Sequence, residues 1–253
     1  MTERSAQLRE LAERFAALLP DHVEDVVLTG STSRGVADEL SDIELLVVSE
    51  RHAEALPLEG VDTWSPGVEG AQWFGGLFEG EFIELIWWTP AYAEERVRAL
   101  AAGEIVERAR IKTAEAIVNG VSLRGDAHAR WTAQLATYPE GLAEKIIADA
   151  AADFRDTDAQ VRSVQRPGDA LALAGKAIDY AEDILRIVFA LNREWEPAWK
   201  RLASRLEPLE RKPERLAERI DEAVRALDLE ALRELAVATL ALEGVSKSAG
   251  RLS

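Results

Sequence analysis

The sequence predicts an α+β chain: a mixed sheet with flanking helices first, then an all-α helical bundle. Three observations carry this. Short runs rich in β-branched and aromatic residues occur only in the first half. Beyond about Pro139 they vanish, and long Ala/Leu patterns at helical spacing take over. With 253 residues, 47% of them hydrophobic, the chain is long enough for two modest domains, each with its own core. The change of character falls between residues 125 and 140, which gives expected domains of 1–130 and 131–253.

Taken in order, Leu8, Leu11, Phe15, Leu18 and Leu19 recur at helical spacing until Pro20-Asp21 stops them. Val23–Thr29 reads as a strand and is followed by a small-residue turn, Gly30-Ser31-Thr32-Ser33-Arg34-Gly35. A second strand runs Asp42–Val48. Ala71–Phe78 and Glu81–Trp88 read as a hairpin around Glu79-Gly80. Pro90–Ala102 returns to helix, and 104–106 and 118–123 read as short extended pieces. In the second half, Leu171, Ala174, Ile178, Ala181, Leu185 and Val188 trace one apolar stripe, broken at Asn192–Pro197. Further helices are expected over 199–206, 213–227 (with Pro213 at the first helical position) and 229–242.

Composition narrows the chemistry. There is no cysteine, so disulfides and thiolate metal sites are excluded, and a metal must be held by oxygen or histidine. The N-terminus opens a charged amphipathic segment rather than an apolar signal core, and no apolar run approaches the roughly 18–20 residues that span a bilayer. The expected compartment is the cytoplasm, with no membrane partner. A net charge of −16 argues against a broad nucleic-acid footprint, which needs clustered Lys and Arg. It suits a small cationic partner drawn in by a negative field. The histidines (His22, His52, His128) show no ligand spacing, and no nucleophilic triad, P-loop or Rossmann fingerprint is present.

Chemistry concentrates in residues 29–48. Alternation along the second strand puts Asp42 and Glu44 on one face. Two like charges side by side on an otherwise apolar strand repel each other and resist desolvation, so the pair calls for a cation. Mg²⁺ is the natural partner of such hard oxygen ligands and commonly takes one or two carboxylates plus substrate phosphates. In the turn before the strand, Gly30 and Gly35 permit close approach of the backbone to a ligand, and Ser31 and Ser33 offer hydroxyls. The main-chain N–H groups of such a turn cradle an anion. A phosphate cradle beside paired carboxylates points to metal-assisted phosphoryl or nucleotidyl transfer.

The pattern Gly-Ser, three residues, Gly, five residues, Ser-Asp-x-Glu, then a Leu/Val run, resembles the signature of the polymerase-β-like nucleotidyltransferase superfamily. Within it, the pattern is most similar to aminoglycoside and related antibiotic nucleotidyltransferases with a C-terminal helical domain. Glu44 stands where many members carry a second Asp. The resemblance implies a third carboxylate on a later strand, for which Glu84 is the candidate, as metal ligand or as general base on the acceptor hydroxyl; Glu81 is the alternative if the register differs. It implies two Mg²⁺ ions, and ATP or another nucleoside triphosphate as donor, gripped by Gly30, Ser31, Ser33 and Arg34. It implies transfer of a nucleoside monophosphate to a small acceptor such as an antibiotic, hence a part in antibiotic resistance, with the helical domain binding the acceptor. The rivals are a protein or RNA acceptor, as in toxin–antitoxin enzymes, and an inactive nucleotide-binding module.

Other features stay open at this level. Arg34 either contacts phosphate or pairs with Asp38 or Glu39. Lys176, with Tyr180 and Asp183 on the same helical stripe, either reaches the triphosphate, as the resemblance implies, or belongs to a solvated face. Asp149, Asp153 and Asp156 either hold a cationic acceptor or face water. Trp195 and Trp199 are core residues or line a cleft.

Overall fold

A computed structural model describes residues 1–51, 56–64, 69–155 and 158–242. Two compact units are present, Met1–Ile105 with Thr113–Thr137, and Val106–Lys112 with Tyr138–Ser253.

The first unit runs α1 (Glu3–Leu18), β1 (Asp25–Thr29), α2 (Gly30–Ser33), β2 (Ile43–Val48), β3 (Glu59–Trp64), β4 (Ala71–Phe78), β5 (Glu81–Trp88) and α3 (Pro90–Ala101). It continues through the end of α4 (Arg108–Val118), β6 (Val121–Arg124) and α5 (Ala127–Leu135). Thr2 caps α1 by accepting the Ser5 N–H at 3.1 Å. Leu8, Leu11 and Phe15 are the buried face of α1, each worth roughly 1.5–3 kcal/mol against exposure, while Leu18 of the expected stripe points outward.

The six strands form one mixed sheet in the order β3-β4-β5-β2-β1-β6. β2 and β5 are parallel neighbours, and every other pairing is antiparallel. Parallel neighbours need a long connection; here the chain leaves β2, forms the outer strands β3 and β4, and returns as β5. One sheet face (Val26, Leu28, Ile43, Leu45, Val47, Phe74, Ile83, Leu85, Trp87) packs with α1 into the core. The opposite face buries Val27, Leu46, Val48 and Trp88, and it also carries the half-buried Glu44 and Glu84.

Two readings of this unit need correction. Residues 104–106 form no strand, because the Glu104 N–H closes the end of α3 onto the Ala99 carbonyl, leaving only Ile105 to turn inward. Val118 is helical, and the last strand starts at Val121. The edge strand β3 was not legible: Glu-Gly-Val-Asp-Thr-Trp is too polar to signal a strand and owes its extension to β4.

The second unit holds the start of α4, then α6 (Leu142–Asp153), α7 (Asp158–Val164), α8 (Ala170–Leu191), α9 (Leu202–Leu206), α10 (Leu216–Ala226) and α11 (Leu229–Ala241). α8 is its central element, packed by α6 and α11. The expected stripe of α8 is only half right: Ala181, Leu185 and Val188 are buried, but Leu171 and Ile178 are 88% and 45% exposed. The interior face instead includes Tyr180, Ile184 and Ile187. Pro213 lies three residues ahead of α10, whose start follows a left-handed Arg215. No helix among the described residues is long and apolar enough to cross a membrane.

Candidate active site

The turn after β1 is bonded together by its own hydroxyls. Gly30 has φ +73°, open to glycine at little cost. A Cβ built there would lie 2.6 Å from Glu44 Oε2, so the Glu44 carboxylate rests directly over the turn. Ser33 donates its hydroxyl to the Gly30 carbonyl at 3.0 Å, which makes it a shaper of the turn. Thr32 donates to the Asp42 carbonyl and Thr29 to the Glu44 carbonyl, both at 3.2 Å. Two small hydroxyl residues thereby fix the backbone of the two acids. Ser31 is half-buried, and its carbonyl accepts the Val36 N–H at 3.1 Å.

Supports that sequence reasoning missed come from the chain's first residues. Arg9 donates to the Ser33 carbonyl at 3.1 Å. The Thr2 N–H bonds to the Gly35 carbonyl at 3.0 Å, Thr2 Oγ1 to the Ala37 carbonyl at 2.8 Å, and the Ala37 N–H to Ser5 Oγ at 2.8 Å. Their only sequence signal is a capping Thr-x-x-Ser. Asp38 and Ser41 close the loop entering Asp42: Ser41 Oγ donates to Asp38 Oδ1 and accepts the Asp38 N–H, each at 2.9 Å.

Asp42, Glu44 and Glu84 come together. All three are half-buried, and one carboxylate oxygen of each lies within 4.8 Å of the others. Glu44 and Glu84 are direct partners across the parallel β2–β5 pair. Each pair of charges repels by roughly 1–3 kcal/mol in a part-exposed setting. Octahedral Mg²⁺, with oxygens at about 2.0–2.1 Å, spans about 4.2 Å between opposite ligands. Three hard oxygen donors at this separation therefore fit one such ion after slight contraction, or two ions about 3.5–4 Å apart. Glu81 points to the other face, where Arg4 grips both its oxygens at 2.8 and 2.6 Å and holds its carboxyl below the usual range.

The Arg34 guanidinium lies 3.6 Å from the buried Glu115 on α4, whose Oε1 also accepts from the Asn119 amide at 3.2 Å.

In the second unit, the Lys176 ammonium sits 4.8 Å over the Tyr180 ring. Tyr180 and Asp183 are interior rather than a solvated stripe, and Asp183 accepts from Arg186 at 3.1 Å. Arg186 also engages Asp149 at 2.7 Å; the Asp153 side chain and Asp156 lie outside the described residues. Trp195 packs on Tyr138 with ring centroids 5.0 Å apart. Arg108 stacks on Trp199 at 3.3 Å and donates to the buried Glu196 at 2.9 Å. Burial pushes the Glu196 carboxyl up, against the opposing pull of Arg108 and the Trp199 indole N–H. These tryptophans belong to a packed corner. His128 Nε2 lies 2.9 Å from the Ile117 carbonyl, and His52 lies outside the described residues.

Residues 8–117 match the nucleotidyltransferase domain family, and residues 107–202 match a family described as a domain of unknown function, DUF4037. A nucleotidyltransferase-like protein from Exiguobacterium sibiricum 255-15, known from its crystal structure, is similar over 98% of this chain and 81% of its own, at 15% identity and a TM-score of 0.35. A search of curated proteins finds no match. The matched segment contains the turn and all three clustered carboxylates, and with them on it the chain carries a nucleotidyltransferase domain and is a nucleotidyltransferase.

Proposed function

We propose that this protein transfers a nucleoside monophosphate, AMP from ATP, onto a hydroxyl of a small acceptor such as an aminoglycoside-like antibiotic, in the cytoplasm and with Mg²⁺. The observation that carries the reading is the convergence of Asp42, Glu44 and Glu84 beside the Gly30 turn. These carboxylates would hold Mg²⁺, as two ions, which when bound neutralises triphosphate charge and polarises the phosphoryl oxygens.

The chain's own residues do the rest. Gly30 and Ser31 present the turn to the triphosphate, with Ser33 holding its shape. Glu84 orients the acceptor hydroxyl and accepts its proton. The hydroxyl oxygen bonds to the α-phosphorus as the bond to the β-phosphate oxygen breaks, and pyrophosphate leaves. Arg34 and Lys176 are assigned to the phosphates by resemblance. Arg34 lies near Glu115 and Lys176 over the Tyr180 ring; with the phosphates as their partners in the complex, Arg34→Gln and Lys176→Met should each raise the KM for nucleotide. The helical domain, 131–253, is proposed to bind and select the acceptor. An RNA acceptor fits less well, because the net charge of −16 opposes a polyanion.

The test is thermal melting with ATP, GTP, CTP and UTP, each with and without Mg²⁺. A ligand that binds only the native state raises its melting temperature by mass action. A Mg²⁺-dependent rise with ATP is expected; no rise with any nucleotide would overturn the donor assignment.

A further inference from the structure

We propose that Glu115 on α4 is a positioning residue for Arg34: its buried carboxylate, fixed by Asn119, holds the guanidinium ready for the phosphates of the nucleotide. This rests on the reading of Arg34 and the Gly30 turn as the grip on the triphosphate.

The setting of Glu115 calls for a role. It shares α4 with Ile111, Ala114 and Ile117, which are core residues, and it is itself buried. A carboxylate taken out of water in such company is costly unless a cation and hydrogen bonds meet it. Both are present. Arg34 Nη1 lies 3.6 Å from Oε1, and the Asn119 amide donates to the same oxygen at 3.2 Å. That amide also donates to the Glu115 main-chain carbonyl at 3.0 Å, so one side chain spans carbonyl and carboxylate and fixes where the charge sits. Arg34, Glu115 and the three clustered carboxylates all belong to the first unit.

Arg34 is held at its other end by the turn. It follows α2 directly, in helical backbone geometry, with its main-chain N–H closed onto the Thr32 carbonyl. Between that anchor and the guanidinium lie several rotatable bonds, and a ligand that has to order them binds more weakly. Glu115 supplies the order before nucleotide arrives.

Distance decides between orienting and competing. A closed Arg–carboxylate fork brings nitrogen and oxygen to about 2.7–2.9 Å. Arg4 and Glu81 form such a fork, at 2.8 and 2.6 Å. At 3.6 Å, Glu115 directs Arg34 by charge, without the bidentate geometry that would compete with phosphate.

The experiment is calorimetric titration of α,β-methylene-ATP, with Mg²⁺ present throughout, into the protein and its variants. Arg34→Gln should weaken binding about tenfold, the size of one charge-assisted hydrogen bond. Glu115→Gln keeps the shape and the oxygen that Asn119 reaches, and should weaken binding by about three- to tenfold. The double variant should bind as Arg34→Gln alone does, because Glu115 then has nothing to position. A purely structural Glu115 would lose affinity again in the Arg34→Gln background, and that result would overturn the proposal. So would unchanged binding in Glu115→Gln, or tighter binding, the mark of a carboxylate that competes for Arg34. If Glu115→Gln fails to fold, Asn119→Ala at the exposed end of the helix takes its place, with the same dependence on Arg34 expected. Unchanged affinity in Arg34→Gln is a separate result: it removes Arg34 from the triphosphate grip, and the role of Glu115 with it.

Discussion

Glu44 on β2 and Glu84 on β5 are register partners across the one parallel pairing in the sheet, and Asp42 brings a third carboxylate within 4.8 Å of both. Three acids in one place are held there against their own repulsion by strands whose other face is core.

Asp42→Asn should relieve that repulsion while removing a metal ligand. Without Mg²⁺ the melting temperature should stay the same or rise by about 2–4 °C, the equivalent of roughly 1 kcal/mol in a protein of this size. Nucleotidyl transfer should fall by at least about a hundredfold, as should the Mg²⁺-nucleotide melting shift. An active variant, or one that fails to fold, would remove Asp42 from the metal site.

Gly30→Ala combines two penalties. Its φ of +73° costs a non-glycine residue roughly 1–2 kcal/mol, and its Cβ would meet Glu44 Oε2 at 2.6 Å. Melting should drop by several degrees and Mg²⁺ affinity should fall, since Glu44 has to move. Gly80→Ala is the control. It has φ +85° with open space around it, so it should cost stability and leave Mg²⁺ affinity alone. Equal Mg²⁺ affinities in the two variants would refute the contact.

Arg4 and Glu81 should lend the fold a pH-dependent tie. The Glu81 carboxyl is held below its ordinary value by Arg4, so its contribution is present above the unfolded pKa of about 4.3 and is lost as pH falls through the lower folded value. Arg4→Met should lower stability by about 0.5–1 kcal/mol at pH 7, and the difference from wild type should vanish in acid. Melting curves from pH 3 to 7 would show it; a pH-independent difference would mean that packing of the Arg4 stem dominates.

Glu196 carries the opposite sign. Burial raises its folded pKa, so its share of stability is greatest in acid and is lost as pH climbs from about 4.3 towards the raised value. Arg108 limits that loss through its 2.9 Å bond. Arg108→Met should cost about 2–3 kcal/mol at pH 7 and steepen the decline, because a buried charge is left unpaired. Adding Glu196→Gln should restore part of it. No rescue would assign the loss to the Arg108–Trp199 stack instead.

Alternation and turn chemistry are local, and so the sequence alone determined the fold class, the β1–turn–β2 segment, the β4–β5 hairpin and the pairing of Asp42 with Glu44 on one face. It also marked Glu84 as an acid out of place in an apolar run. It left open whether Glu84 or Glu81 joins the cluster, because that depends on which strand neighbours β2 and in what register. Only the tertiary structure decided this, by sending the chain through β3 and β4 before β5 so that Glu84 falls opposite Glu44. The same holds for Arg34, whose companion Glu115 comes from a helix far along the chain, and for α8, where neighbouring helices determine that Tyr180 is interior and Leu171 is not. Local periodicity says that a face exists; the packing partners decide which face it is.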